Sequence, residues 1–222
     1  MNRTARTALV KVGVTSACAL ALVGAVASGA TAAATTYKVA VGTTTTGTAA
    51  LTGTSNGSLT FNDTTTGLAA TCSSATATGA ATLSPRRKAT SLATISKSTY
   101  SACSANGELE LNIVQRGTWT FEGTGPTSNS VTPGVLANIT AKVSSSSTNC
   151  KFTTAGTVDA TYNNSTGVLA FAPLSGTKNV LTISGQTGTC LGLANNGDTV
   201  TFTGAFSVKS TSPAGTLSIT SR

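Results

Sequence analysis

The dominant period along the chain is two. In VTFTGAFSV, Val200, Phe202, Phe206 and Val208 share one face with Gly204, while Thr201, Thr203 and Ser207 share the other. Such alternation predicts a half-buried antiparallel strand, and Gly204 predicts a bulge or bend within it. ELELNIV sets Leu109, Leu111 and Ile113 against Glu108, Glu110 and Asn112. TWTFE pairs Trp119 with Phe121, and VLANITAKV aligns Val135, Ala137, Ile139, Ala141 and Val143. Shorter strands are predicted from Tyr37, Ser58, Thr157, Val168, Asn179 and Thr216 and around Cys72. Threonine and other β-branched residues are abundant, which favours pleated structure over helix. The fold predicted is all-β, an antiparallel β-sandwich or barrel of about ten to twelve strands. Residues 35–57, where TTTTGTAALTGTSNG carries little pattern, are expected to be flexible.

Turn chemistry punctuates the strands. Phe61-Asn62-Asp63-Thr64-Thr65-Thr66-Gly67-Leu68 and Tyr162-Asn163-Asn164-Ser165-Thr166-Gly167-Val168 are alike: an aromatic, an Asn- or Asp-bearing turn, then Thr-Gly and an apolar strand. Side-chain oxygens of Asn and Asp form local turns, and glycine supplies positive φ to close a hairpin. Asn195-Asn196-Gly197-Asp198 reads the same way, as a tight entry into the Val200 strand. A calcium loop normally gathers several carboxylates, and here there is one, so no metal site is expected.

The first residues predict a compartment. Arg3, Arg6 and Lys11 precede an apolar run from Val12 to Ala27, followed by Ala-x-Ala sites near residue 32. Residues 1–34 therefore read as a secretory signal and 35–222 as one secreted β domain, with no integral membrane segment once the signal is cut. Beyond residue 34 the chain has Cys72, Cys103, Cys150 and Cys190. An even count in an oxidising compartment predicts two disulfides. Three pairings are possible, and proximity along the chain favours Cys72–Cys103 with Cys150–Cys190. The spacing lacks any Cys-x-x-Cys pair, which argues against zinc.

Composition narrows the chemistry. The chain has no histidine, so Ser-His-Asp and Cys-His catalysis are excluded. The six acidic residues are Asp63, Glu108, Glu110, Glu122, Asp159 and Asp198. Glu108 and Glu110 could form a carboxylate pair, but a solvated strand face explains them as well. Only 9% of residues are charged, with no dense basic stripe interleaved with aromatics, so no nucleic-acid binding is expected. No enzyme activity and no cofactor are expected. Arg86, Arg87 and Lys88 form the one charge cluster, predicted to be an exposed loop able to meet an anionic surface. Trp119, the single tryptophan, is the candidate for stacking on a sugar ring if exposed and a core residue if not.

Asp63-Thr64-Thr65-Thr66-Gly67 leading to Thr71-Cys72-Ser73-Ser74, then Tyr162 to Gly167, then Cys190-Leu191-Gly192-Leu193 with Asn196-Gly197-Asp198 and Thr201-Phe202-Thr203-Gly204, resemble a family of small secreted actinobacterial β-rich proteins. The order of all four cysteines is kept, and the segment from Gly79 to Ser98 matches less well. Short β-patterned segments are also similar to the secreted alkane-oxidation activator proteins of pseudomonads. The resemblance implies an extracellular location and no catalytic residues. The function expected is that of a non-catalytic cell-surface or extracellular-matrix protein, wall-associated or free. Its expected partners are a cell-wall polymer, an extracellular polysaccharide or further copies of itself. The alternatives are a polysaccharide- or ligand-binding module and a secreted enzyme inhibitor.

Overall fold

A computed structural model of the chain describes residues 35–174, 178–192 and 194–222. The expected signal segment, 1–34, lies outside them. Among the described residues there are fifteen strands and no helix. In chain order they are β1 (Thr36–Val41), β2 (Thr48–Ser55), β3 (Leu59–Asp63), β4 (Ala69–Thr82), β5 (Ser84–Lys88), β6 (Ala93–Ala105), β7 (Leu109–Gln115) and β8 (Trp119–Gly123). Then follow β9 (Val131–Ser144), β10 (Lys151–Asn163), β11 (Val168–Phe171), β12 (Leu181–Thr187), β13 (Thr199–Ser212), β14 (Ala214–Gly215) and β15 (Leu217–Ser221).

Eleven strands close into an antiparallel barrel with eight places around its wall, and β14 pairs only with β13. Five long strands, β4, β6, β9, β10 and β13, hold one place each. The other three places are each shared end to end by two short strands. β2 and β3 lie between β4 and β13, β7 and β8 between β6 and β9, and β11 and β12 between β10 and β13. Closure leaves no free edge in the wall. Interior positions are apolar and the outer face is rich in threonine: exposed Thr52 and Thr54 pair across the wall with Thr78 and Thr76. That is the reverse of a lipid-facing barrel, whose outside is apolar.

β4 and β9 switch faces part-way along, which the simple alternation of the sequence does not anticipate, while β10 and β13 keep one inward face throughout. In β9 the inward residues are Thr132, Gly134 and Leu136, then Ile139, Ala141 and Val143. Asn138, at φ 59°, is the extra residue of a bulge. Val135 and Ala137 therefore do not share the inner face with Ile139, as the pattern had predicted. The register of β10 with β9 shifts between Gly156 and Val158, opposite that bulge. Gly204 in β13 has φ 147°, and the ring of strands brings Leu59 against it. Residues 35–57, expected to be flexible, supply β1 and β2. The inward positions of β2 are Ala49, Leu51 and Gly53, whose alternation with Ala and Thr is faint in sequence, and Gly53 packs against Phe206.

The remaining sheet, β15–β1–β5, closes one end of the barrel. Leu217 and Ile219 meet the interior residues Phe121, Leu136, Tyr162 and Phe206 around a cavity of about 40 Å³. The Tyr162 hydroxyl donates to the Leu217 carbonyl at 2.7 Å, and Tyr37 donates to the Gly125 carbonyl at 2.7 Å. The opposite end carries both disulfides, Cys72–Cys103 across β4 and β6 and Cys150–Cys190 between the start of β10 and the β12–β13 connection. Among the described residues no helix is long and apolar enough to cross a membrane.

Candidate functional site

The residues singled out in the sequence fall in different places. Arg86, Arg87 and Lys88 are not in a loop: they form β5, whose register pairs Arg87 with Tyr37 and Lys88 with Thr36. Arg87 Nε donates to the Ser91 carbonyl at 3.0 Å, which turns that guanidinium back on its own hairpin. Arg86 and Lys88 remain exposed on the outer edge of the small sheet, where charge opposes further strand pairing. Trp119 offers no surface platform. It is 4% exposed, and its Nε1 donates to the Thr140 carbonyl at 3.3 Å. Its place on β8 puts the indole between the barrel walls, where its large apolar area is desolvated.

The acidic residues divide in two. All three aspartates are buried. Asp198 Oδ2 accepts from Asn195 N at 2.8 Å and from Asn195 Nδ2 at 2.9 Å, while Asn196 Oδ1 accepts from Gln186 N. Asn196 Oδ1 and Asp198 Oδ2 are thus engaged in building the turn. Asp159 faces outward, where Oδ2 accepts from Leu174 N and Oδ1 from Asn179 Nδ2. Asp63 Oδ1 accepts from Thr65 N at 2.8 Å and from Thr66 N at 3.0 Å. Asn163 Oδ1 makes the same pair of bonds with Ser165 N and Thr166 N, and Gly67 and Gly167 have φ of 73° and 69°. The two similar sequence segments therefore build the same hairpin turn. The glutamates Glu108 and Glu110 are exposed, and Glu122 is partly so.

With the aspartates buried, exposed cations dominate one stretch of the outer wall. β7, β9 and β10 lie side by side, and their register sets two rows across the wall. Val114, Lys142 and Thr153 form one, and Asn112, Ser144 and Lys151 the other. Lys142 and Lys151 are diagonal neighbours, about 7 Å apart at their β-carbons. Arg116, whose amide donates to the Thr140 carbonyl, stands beside them. These side chains line an open groove of about 400 Å³, with Phe152 and Gly185 at its floor and end. Its lining contains three cations and no carboxylate. Glu110 lies in the adjoining depression, with Lys151 shared between the two.

The groove was missed in sequence because its cations are scattered along the chain and become neighbours through register alone. The usable signal was that Lys142 and Lys151 sit at polar positions beside alternating apolar residues, which puts both outside. No protein-family model, curated protein or solved structure matches this chain, so its function has to be read from the groove and the interior themselves.

Proposed function

We propose that the protein is a secreted, non-catalytic component of the cell surface or extracellular matrix. It binds an anionic polymer of the wall or matrix along the groove of Arg116, Lys142 and Lys151. The observation that carries this reading is the groove's lining: three exposed cations on adjacent strands, with hydroxyl and amide groups between them and no carboxylate. A rigid closed wall holds these charges at fixed spacing, so little ordering is required when a repeating anion is bound. Secretion is supported by the N-terminal pattern and by two disulfides, which persist in oxidising compartments. Against edge-to-edge self-association stands the closed barrel, together with the charged residues and Pro85 on β5. Against sugar stacking stands the buried Trp119.

The test is co-sedimentation of the 35–222 protein with isolated cell walls and with a soluble polyphosphodiester and a polyuronate immobilised on beads. Binding is expected to fall as the screening length shrinks from about 10 Å at 0.1 M salt to about 3 Å at 1 M. The variant Arg116→Ala/Lys142→Ala/Lys151→Ala should lose binding, while Arg86→Ala/Lys88→Ala should keep it. Salt-insensitive binding, or equal loss in both variants, refutes the groove.

A further inference from the structure

The barrel end opposite the small sheet encloses its own cavity, also about 40 Å³. Its walls are almost wholly apolar and include the rings of Phe61, Phe202, Trp119 and Tyr100. Phe61 and Phe202 stack at 4.6 Å between centroids. One wall residue is an aspartate. Asp63 is 3% exposed, and its Oδ2 is buried with no hydrogen-bond partner. Oδ1 is committed to the turn, which leaves Oδ2 for the cavity.

The turn does not explain this oxygen. In the matching turn Asn163 makes both bonds with a single neutral oxygen. A neutral side chain at position 63 would build the same hairpin without burying an anionic atom beside aromatic rings. Nor, among the described residues, does any lysine or arginine line the cavity to balance the charge. A buried carboxylate without a partner is costly, and the missing group is therefore both a hydrogen-bond donor and a cation. Aromatic faces around the same space attract cations as well. The volume sets the size: a water-sized group needs about 10–15 Å³, so the cavity takes about three such groups. Tyr100 and Leu111 line this cavity and also the outer depression around Cys103 and Asn149, so one layer of side chains separates it from solvent.

We propose that this chamber is a binding site for a small primary ammonium ion of two or three heavy atoms. Its N–H donates to Asp63 Oδ2, and its carbons lie against Phe61, Phe202 and Trp119. The site is independent of the groove, since none of Arg116, Lys142 and Lys151 lines it.

Trp119 is the single tryptophan and lines the chamber, so its fluorescence reports occupancy. The experiment titrates the 35–222 protein with methylammonium, ethylammonium and ethanol at constant ionic strength, with sodium chloride as the blank. Saturable change is expected with the two ammonium ions and at least tenfold weaker change with ethanol. Asp63→Asn keeps an oxygen for the turn and should weaken ethylammonium at least tenfold. Ala141→Val, which fills the chamber and leaves Asp63 intact, should abolish the response, and it decides the matter should Asp63→Asn fail to fold. Equal responses to ethanol and ethylammonium overturn the proposal, as does no response to either ammonium ion, which would leave Oδ2 to ordered water. A response unchanged in Ala141→Val overturns it too.

Discussion

Gly156 offers the sharpest check on how the barrel is put together. It sits where the register of β10 with β9 shifts, at φ 150°, in a region that side chains rarely adopt. A β-carbon added there would lie 2.3 Å from the Val180 carbonyl oxygen and 3.2 Å from the α-carbon of Leu181. Both are backbone atoms at the entry of β12, so no side chain can rotate out of the way. Backbone strain costs about 2 kcal/mol, and crowding in a packed wall adds about 2 kcal/mol. Lower entropy of the unfolded chain returns about 0.5 kcal/mol. Gly156→Ala should therefore destabilise by about 3–4 kcal/mol. The control is Gly57→Ala, at φ 82° with nothing within 4 Å of the added carbon. It should cost about 1 kcal/mol or less, because only the backbone term applies. Urea unfolding followed by tryptophan fluorescence measures both. With a slope of about 2 kcal/mol/M, the midpoints should differ by about 1–1.5 M. Variants within about 0.5 kcal/mol of one another would refute the close approach of β10 and β12.

Three further outcomes are expected. Burial raises the pKa of all three tyrosines, pushing Tyr100 up to about 12 and Tyr37 and Tyr162 above the usual value as well. The unfolded chain loses these protons near its ordinary value while the folded chain holds them, so stability is full below pH 10 and declines as pH rises from there towards 12. An alkaline titration of tyrosinate absorbance should show no normal tyrosine before unfolding, and a normal one would refute the assignment. Removing the Cys150–Cys190 bridge as the double alanine variant frees a 40-residue loop, which should cost about 4 kcal/mol; calorimetry should show a melting temperature lower by about 8–16 °C. Asp159→Ala removes the acceptor for Leu174 N and Asn179 Nδ2 and should cost about 1–3 kcal/mol, with faster amide exchange at Leu174 as the local signature.

The candidate site was less legible than the fold. Arg86, Arg87 and Lys88 stood out because they are adjacent in the chain, yet β5 places them on a sheet edge and folds Arg87 back on Ser91. Arg116, Lys142 and Lys151 are unremarkable singly, and pairing of three strands makes them neighbours. Trp119 was more legible: it alternates with Phe121 between threonines, which favours the apolar inner face, and the structure buries both rings.

What the sequence determined by itself is what short segments decide. The period of two makes strands, because alternation creates one apolar face whatever the partner is. Asp63, Asn163 and Asp198 bond to amides two or three residues away, so their turns are written within a few positions. Four well-separated cysteines determined that there would be bridges, and proximity along the chain matched the pairs that form. The tertiary structure alone decided between sandwich and barrel, since closure depends on β3 meeting β13 across more than a hundred residues. It also decided where β9 turns over, at Asn138, because a bulge answers to the partner strand rather than to its own neighbours. The cation groove and the unpartnered oxygen of Asp63 follow from that register, for both are properties of distances between strands and not of any stretch of chain.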